Sequence, residues 1–196
     1  YLNIWDDYPA PMFNRPFYES CDLMMGISKQ TVNINKLVLE ETAKNKILRY
    51  IPHGLNTKLF HPVDPKDKKL VNFKKNILKG RKSDFTLFFN SRNIRRKQIP
   101  DALLAFRVFL DELPKEKAEK CHFILHTEPR SEHGTDLEAV VEFLFGKDFK
   151  DNIIFSTTKY PQDQLNLLYN CADAQILLTS NEGWGLTLTE SLLVGN

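Results

Sequence analysis

From residue 85 onward the chain alternates short apolar runs with longer amphipathic ones. The run 85–89 reads as a strand, and 101–113 as a helix with Leu103, Phe106 and Leu110 on one face. A strand follows at 122–127. Leu137, Val140, Val141 and Leu144 then take the i, i+3, i+4, i+7 spacing of an amphipathic helix. The cycle repeats with a strand at 153–156, a helix carrying Leu165, Leu168, Tyr169 and Ala172, a strand at 174–179 and a helix at 187–194. Strands that alternate with helices predict an α/β fold: a Rossmann-like parallel sheet flanked by helices and joined by right-handed crossovers. Ligands of such sheets bind beyond the carboxyl ends of the strands. Those ends carry Asn90-Ser91-Arg92, Thr127-Glu128, Ser156-Thr157-Thr158 and Ser180-Asn181-Glu182, polar clusters placed to converge on one crevice.

Upstream the pattern is less regular. Residues 1–20 are rich in aromatics and proline, and read as irregular chain or as a helix starting near Pro16. The run 23–27 predicts a short buried strand, Ser28 suits a helix N-cap, 31–44 a helix, and 48–51 a second strand closed by Pro52-His53-Gly54. Between 61 and 84 lysines dominate (Lys66, Lys68, Lys69, Lys74, Lys75, Lys79, Lys82), with Asp64 and Asp67 among them. This stretch reads as a solvated linker and helix face, with docking to an anionic surface as the alternative.

Composition narrows the function classes. At 196 residues the chain is one large domain or one and a fraction. Its net charge of +2 gives a general nucleic-acid role no electrostatic support. Cys21, Cys121 and Cys171 are odd in number and far apart, so neither a disulfide framework nor a CxxC metal site is expected. Reduced, mostly buried thiols in a cytosolic-type compartment fit that usage. No apolar run approaches the roughly 20 residues of a membrane span. The chain starts at a tyrosine and stops just after Leu192-Leu193-Val194, where another strand would follow, and it reads as a fragment.

The stretch 181–190 concentrates the candidate chemistry. Glu182 and Glu190 stand eight positions apart, Gly183-Trp184-Gly185 follows the first of them, and a helical run follows the glycines. Strand, glycine-rich turn and helix N-terminus together hold phosphates well, because backbone N–H groups can approach and the helix end carries partial positive charge. Carboxylates beside such a turn accept from hydroxyls, so a nucleotide or nucleotide-sugar is suggested. Alone, the signal is weak. The third glycine of the dinucleotide fingerprint and the Lys-Ser/Thr of a P-loop are both missing, and an ordinary strand-to-helix turn reads equally well. Trp184 could stack on a ligand or pack beneath the turn.

A cationic partner lies at another strand end. Arg92, Arg95, Arg96 and Lys97 follow the strand at 85–89. Guanidinium binds phosphate oxygens in bidentate fashion, and fixed cations lower the barrier for a departing diphosphate. No two aspartates here form a D-x-D pair. Protein cations in place of a metal are therefore the consistent reading, and no cofactor is expected. A basic surface loop is the alternative. His126 could face the crevice, or be a satisfied strand-end histidine. His53 reads as structural.

Several segments together resemble the retaining GT-B glycosyltransferases of family 4, the glycosyl transferases group 1. Glu182 and Glu190 match that family's E-x7-E motif, and Arg92 and Lys97 its R-x4-K pair. Ile51-Pro52-His53-Gly54-Leu55-Asn56, with Phe60 and Pro62, is similar to its I-P-N/H-G-V-D…F-P segment. Cys21-Asp22 with Ile27-Ser28 resembles its A-D…V-S segment, and the helix around Leu165, Leu168, Tyr169, Ala172 and Asp173 its L-x-x-L-Y-x-x-A-D run. Departures are Asn56 for the commoner Asp, Gln98 where glycine often follows the lysine, and Asn196 where Gly-x-Pro-Val usually continues.

The resemblance implies a division at residue 56. Residues 1–56 would end the acceptor-side N-terminal domain and cross over, and 57–196 would form the nucleotide-sugar-binding Rossmann-like domain of a GT-B enzyme, truncated at its C-terminus. It also implies roles. Arg92 and Lys97 hold the diphosphate, and Glu182 lies near the donor sugar. Gly183, Trp184, Gly185, Leu186 and Thr187 approach sugar and phosphate, and Glu190 accepts from the ribose. Ser91 and Thr158 line the donor site, with base contacts near residues 157–160. The reaction would transfer a sugar from a nucleotide-sugar donor to a glycan, lipid or small-molecule acceptor, with retention and without metal. The location would be cytoplasmic, with peripheral association at the cytoplasmic membrane face compatible, and this stretch alone would be inactive. Two other classes stay open: a non-catalytic nucleotide- or phosphosugar-binding module of the same architecture, and an interaction domain docking through the lysine-rich 66–82 segment.

Overall fold

The computed structural model describes residues 10–146 and 148–196. Two compact units form: the chain up to Leu55 together with Ser180–Leu186, and Asn56–Thr179 together with Thr187–Asn196.

In the first unit, α1 (Ala10–Phe13) and α2 (Arg15–Ser20) precede β1 (Leu23–Gly26), α3 (Lys29–Leu39) and β2 (Ile47–Tyr50). The two strands pair in parallel, Leu23 opposite Ile47. Pro16 sits in the first turn of α2, where its missing N–H has no partner to lose. Ser28 caps α3 as expected, its Oγ accepting from the Thr31 N–H at 3.0 Å. Gly26 lets α3 lie against the strand, since a Cβ there would stand 2.5 Å from Val32 Cγ2 and 3.0 Å from its backbone nitrogen. The helix expected over 31–44 ends early. Glu40 takes φ +50°, which breaks the α ladder, and a 3-10 stretch covers Glu40–Asn45. Tyr18, Met24, Val38 and Leu39 form the core of this unit.

The second unit runs α4 (Lys68–Ile77), β3 (Phe85–Asn90), α5 (Ile99–Asp111), α6 (Lys115–Ala118), β4 (Cys121–His126), α7 (Leu137–Phe145), β5 (Ile153–Phe155), α8 (Gln162–Asn170), β6 (Ala174–Gln175) and α9 (Leu186–Val194), all but the first residue of α9 lying in this unit. The strand order is β5-β4-β3-β6 and every pairing is parallel, so the fold is the expected Rossmann-like α/β sheet. Both faces are covered. Phe89, Phe123 and Leu125 pack against Leu103, Phe106 and Val141 of α5 and α7. Their strand neighbours Phe88, Ile124 and Ile154 pack the other way, against Leu70, Leu168, Tyr169 and Val194 of α4, α8 and α9. Alternate residues therefore serve two cores, which is why β4 is buried along nearly its whole length. No described helix is long and apolar enough to cross a membrane.

One strand is shorter than expected. The run 174–179 pairs only at Ala174 and Gln175. The Ile176 N–H still donates to Phe88 O at 2.9 Å, after which the chain leaves β3. β6 has a single neighbour among the described strands, so its extent is set by how long it follows β3 rather than by its apolar content.

Candidate functional site

Successive crossovers move from β3 to β4 to β5, and the next returns to β6 on the far side of β3. The winding thus reverses between β3 and β6, the place where parallel sheets open a crevice at their carboxyl ends.

The loop leaving β3 is held by Asn93, which sequence reasoning missed. Its buried amide donates to the carbonyls of Glu128 at 3.1 Å and Thr135 at 2.7 Å, and accepts from the Thr135 N–H at 3.1 Å. Gly134 makes room for it: a Cβ there would stand 2.1 Å from Asn93 Oδ1 and 2.4 Å from its carbonyl oxygen. The Arg95 N–H donates to His133 O at 3.1 Å. The loop after β3 is therefore tied to the loop after β4. The only local signal for this was a glycine inside a polar loop.

Arg92 projects from that braced loop. It is exposed and forms no ion pair among the described residues. With Ser91, Thr127, Ser156 and Thr158 it lines a cleft of about 410 Å³ at the carboxyl ends of β3, β4 and β5. His126 borders the same cleft. Its Nδ1 lies 3.1 Å from Ser156 Oγ, Tyr160 stacks on the ring at 5.7 Å, and burial lowers its pKa, so the imidazole is neutral at pH 7. Of the two readings of this histidine, it is a satisfied strand-end residue that also faces the crevice. Thr127 Oγ1 is buried without a hydrogen-bond partner. Lys97 stands in a different setting from Arg92: it is 8% exposed, ends a 3-10 turn, and is not among the residues lining the cleft. Arg96 reaches toward β6, with Nη1 3.5 Å from Thr179 Oγ1.

Glu190, in the second turn of α9, is half-buried. Its Oε2 accepts from the Tyr169 hydroxyl at 2.5 Å, and that hydroxyl accepts from Asn90 Nδ2 at 2.9 Å. Asn90 lines the cleft, so the chain of hydrogen bonds runs from the end of β3 to the carboxylate. Tyr169 is clamped edge-to-face by Phe88 at 5.2 Å and Phe60 at 5.8 Å. Burial, reinforced by Glu190, pushes its phenol well above the ordinary range and keeps it a donor. Burial also raises the Glu190 carboxyl above its ordinary 4.5, opposed by the Tyr169 hydrogen bond. Neither Tyr169 nor Asn90 had been assigned a role from sequence.

Ser180–Leu186 belongs to the first unit. Glu182, Gly183 and Trp184 are half-buried there. Gly185 takes φ +82°, a conformation that favours glycine. The Trp184 ring meets His53 edge-to-face at 6.1 Å, the packing alternative raised for it, and its Nε1 is buried without a partner. Thr187 lies in the first turn of α9.

No family model matches the chain, and no curated protein matches it. Solved structures do. A trehalose-6-phosphate protein from E. coli bound with UDP-2-fluoro glucose is similar over 97% of this chain and 47% of its own, with TM-score 0.73 and 16% identity. An α,α-trehalose-phosphate synthase (UDP-forming) from Burkholderia xenovorans, in complex with glucose-6-phosphate, is similar over 91% and 45%, with TM-score 0.66 and 16% identity. The N-terminal domain of a Candida albicans trehalose-6-phosphate phosphatase is similar over 89% and 42%, with TM-score 0.67 and 16% identity. The chain spans less than half the length of each. At such identity the likeness is one of fold, and the fold is that of the corresponding part of these proteins.

Proposed function

We propose that this chain is the donor-binding part of a retaining GT-B glycosyltransferase that uses a nucleotide-sugar. The observation that carries the reading is the Asn90–Tyr169–Glu190 chain of hydrogen bonds. It presents a half-buried carboxylate, whose Oε1 takes no hydrogen bond among the described residues, at the β3/β6 switch point of a fold shared with a protein bound with UDP-2-fluoro glucose.

In this reading Glu190 accepts from the ribose hydroxyls, and Arg92 and Lys97 bind the diphosphate. Glu182 serves the sugar hydroxyls, and the backbone of 183–186 with Thr187 approaches sugar and phosphate. Ser91 and Thr158 complete the wall of the cleft. The bond from the anomeric carbon to the diphosphate oxygen breaks, the acceptor oxygen bonds to the same face, and its proton passes to the departing phosphate. Charge grows on that phosphate, and preorganised cations lower the barrier most where charge develops. The reading expects transfer without a divalent metal. A phosphorylated sugar is the first acceptor to try, since one neighbour is in complex with glucose-6-phosphate.

Calorimetric titration of the intact protein with UDP-, GDP- and ADP-sugars tests it, followed by a transfer assay with and without chelator. One donor should bind, and at about 100 times its Kd should add about 2.7 kcal/mol of stability. Silence across the whole panel would sink the reading. Binding without transfer to any acceptor would favour a non-catalytic sugar-nucleotide module, a reading supported by the likeness to a domain of a protein named as a phosphatase.

A further inference from the structure

The sheet has a second hollow, at its other end. A cavity of about 570 Å³ opens where β3 and β6 begin, bordered by Ser83 and Asp173. That volume lies within the roughly 300–1,000 Å³ of small-molecule sites. Its apolar wall comes from Val63, Leu70, Val71, Leu78 and Val194. Val63 is pinned there, its N–H donating to Asn170 Oδ1 at 2.8 Å. Two of the bordering polar side chains are tied to backbone. Asp173 Oδ2 accepts from the Thr86 N–H at 2.7 Å, and the Asn170 amide donates to His61 O and Asn166 O.

The cations are not occupied in the same way. Lys74, Lys75 and Arg81 border the cavity. Neither lysine has an acidic partner among the described residues, and Arg81 pairs only with Asp151, a side chain that is 91% exposed. The surrounding field has the same sign. Residues 66–82 hold eight basic side chains against one acid, Asp67, in a chain of net charge +2, so the remainder is net acidic. Asp67 itself is committed as the N-cap of α4, accepting from the Lys69 and Leu70 N–H groups. An apolar wall with three bordering cations against one bordering acid, Asp173, suits a negatively charged group attached to an apolar body.

We propose that this cavity binds the anionic head of an amphiphile, a phosphate or carboxylate joined to an apolar chain, at the end of the sheet opposite the Arg92 cleft. The ligand could be dissolved or could be part of a membrane; the recognition chemistry is shared. The site is separate from that of the nucleotide reading, because none of its lining residues borders the Arg92 cleft.

Two probes distinguish the sources. One is dihexanoyl phosphatidic acid below its micelle concentration, followed by calorimetry on the intact protein. The other is phosphatidylcholine vesicles with and without phosphatidic acid, followed by sedimentation, both at physiological salt to screen diffuse surface attraction. Lys74→Ala/Lys75→Ala should weaken binding about tenfold or more, as expected for losing charge-assisted contacts. Lys74→Arg/Lys75→Arg should keep most of it, which also controls for folding. Lys68→Ala/Lys69→Ala, on the same helix but outside the cavity, should change it less than about twofold, as expected for a screened surface charge. Binding of the monomer with this selectivity identifies a dissolved ligand, and binding of vesicles alone with the same selectivity identifies a membrane one. Equal loss in both alanine pairs would reduce the effect to a general lysine field, and no binding of either probe would equally overturn the proposal. Nucleotide affinity, measured on the same variants, should stay constant throughout.

Discussion

The two ends of the four-stranded sheet use polar side chains differently. At the amino end, side chains close on backbone. Asn152 donates to the carbonyls of Ala118 and Cys121, Asp173 accepts from the Thr86 N–H, and Ser83 donates to Phe85 O while its Oγ also meets His122 Nδ1. At the carboxyl end Asn93 also closes on backbone, but the other side chains hold one another and leave capacity open: Asn90 to Tyr169 to Glu190, His126 to Ser156, and Arg92 without an ion pair among the described residues. Bonds to buried backbone satisfy groups that would otherwise be costly, so the amino end reads as fastening. Prepositioned acceptors and cations facing a crevice read as binding. Mutations should therefore separate stability from affinity by which end they touch.

The sharpest separation comes from Asn152→Ala. It strands two buried carbonyls, at about 1–3 kcal/mol each by the usual cost of an unsatisfied group, so a loss of about 3 kcal/mol is expected. For a chain of this size that lowers Tm by about 6–12 °C. Scanning calorimetry reads it, and nucleotide affinity should be unchanged in the fraction that remains folded. Next in size, Glu190→Ala should cost about 2–3 kcal/mol of nucleotide affinity, roughly 30- to 150-fold, and only about 1 kcal/mol of stability, about 2–4 °C in Tm, because it removes a half-buried carboxylate and leaves the Tyr169 hydroxyl its bond from Asn90 but no acceptor. The comparison breaks if Glu190→Ala lowers Tm as far as Asn152→Ala while affinity survives.

Tyr169→Phe sits between the two ends. The ring keeps its contacts with Phe60 and Phe88, and only the hydroxyl linking Asn90 to Glu190 is lost. Affinity and stability should each fall by about 1 kcal/mol, about fivefold in Kd by titration and 2–4 °C in Tm. An unchanged Kd would mean that the hydroxyl does not orient the carboxylate.

How much of this could be read in advance follows from range. The α/β alternation was legible because a strand or helix declares itself within a few residues, and the apolar spacing of β3, α5, β4 and α7 matches the observed faces. Failures came where a partner far along the chain decides. β6 shortens because it follows β3 over only two ladder positions, which no property of 174–179 encodes. Asn90 and Tyr169 lie 79 residues apart, so their shared hold on Glu190 is visible only after folding. Asn93 grips backbone oxygens, which carry no residue signature at all. The end of α3 was hidden for another reason: a positive φ at Glu40 runs against local preference. The spacing of Arg92 and Lys97 was plain, but that one is exposed at a cleft and the other buried was not.

The smallest effect concerns pH, and its sign is definite. Burial raises the folded-state carboxyl of Glu190 above its ordinary 4.5, so folding favours the protonated form. The stability linked to that proton is fully present below 4.5 and is lost as pH rises through the raised folded value. Glu190→Gln keeps the shape and an acceptor oxygen for Tyr169 but has no proton to lose. The variant should therefore match wild type in acid and gain on it as pH rises through that window, with a constant advantage above it. Because every other titrating group is common to both proteins, the difference in Tm, measured across pH at fixed ionic strength, isolates this carboxyl. A difference that is flat with pH would show that its pKa is the same folded and unfolded. A wild type that gains on the variant with rising pH would mean the carboxylate is stabilised where it sits, and the carboxyl end would then be fastening of the same kind as the amino end.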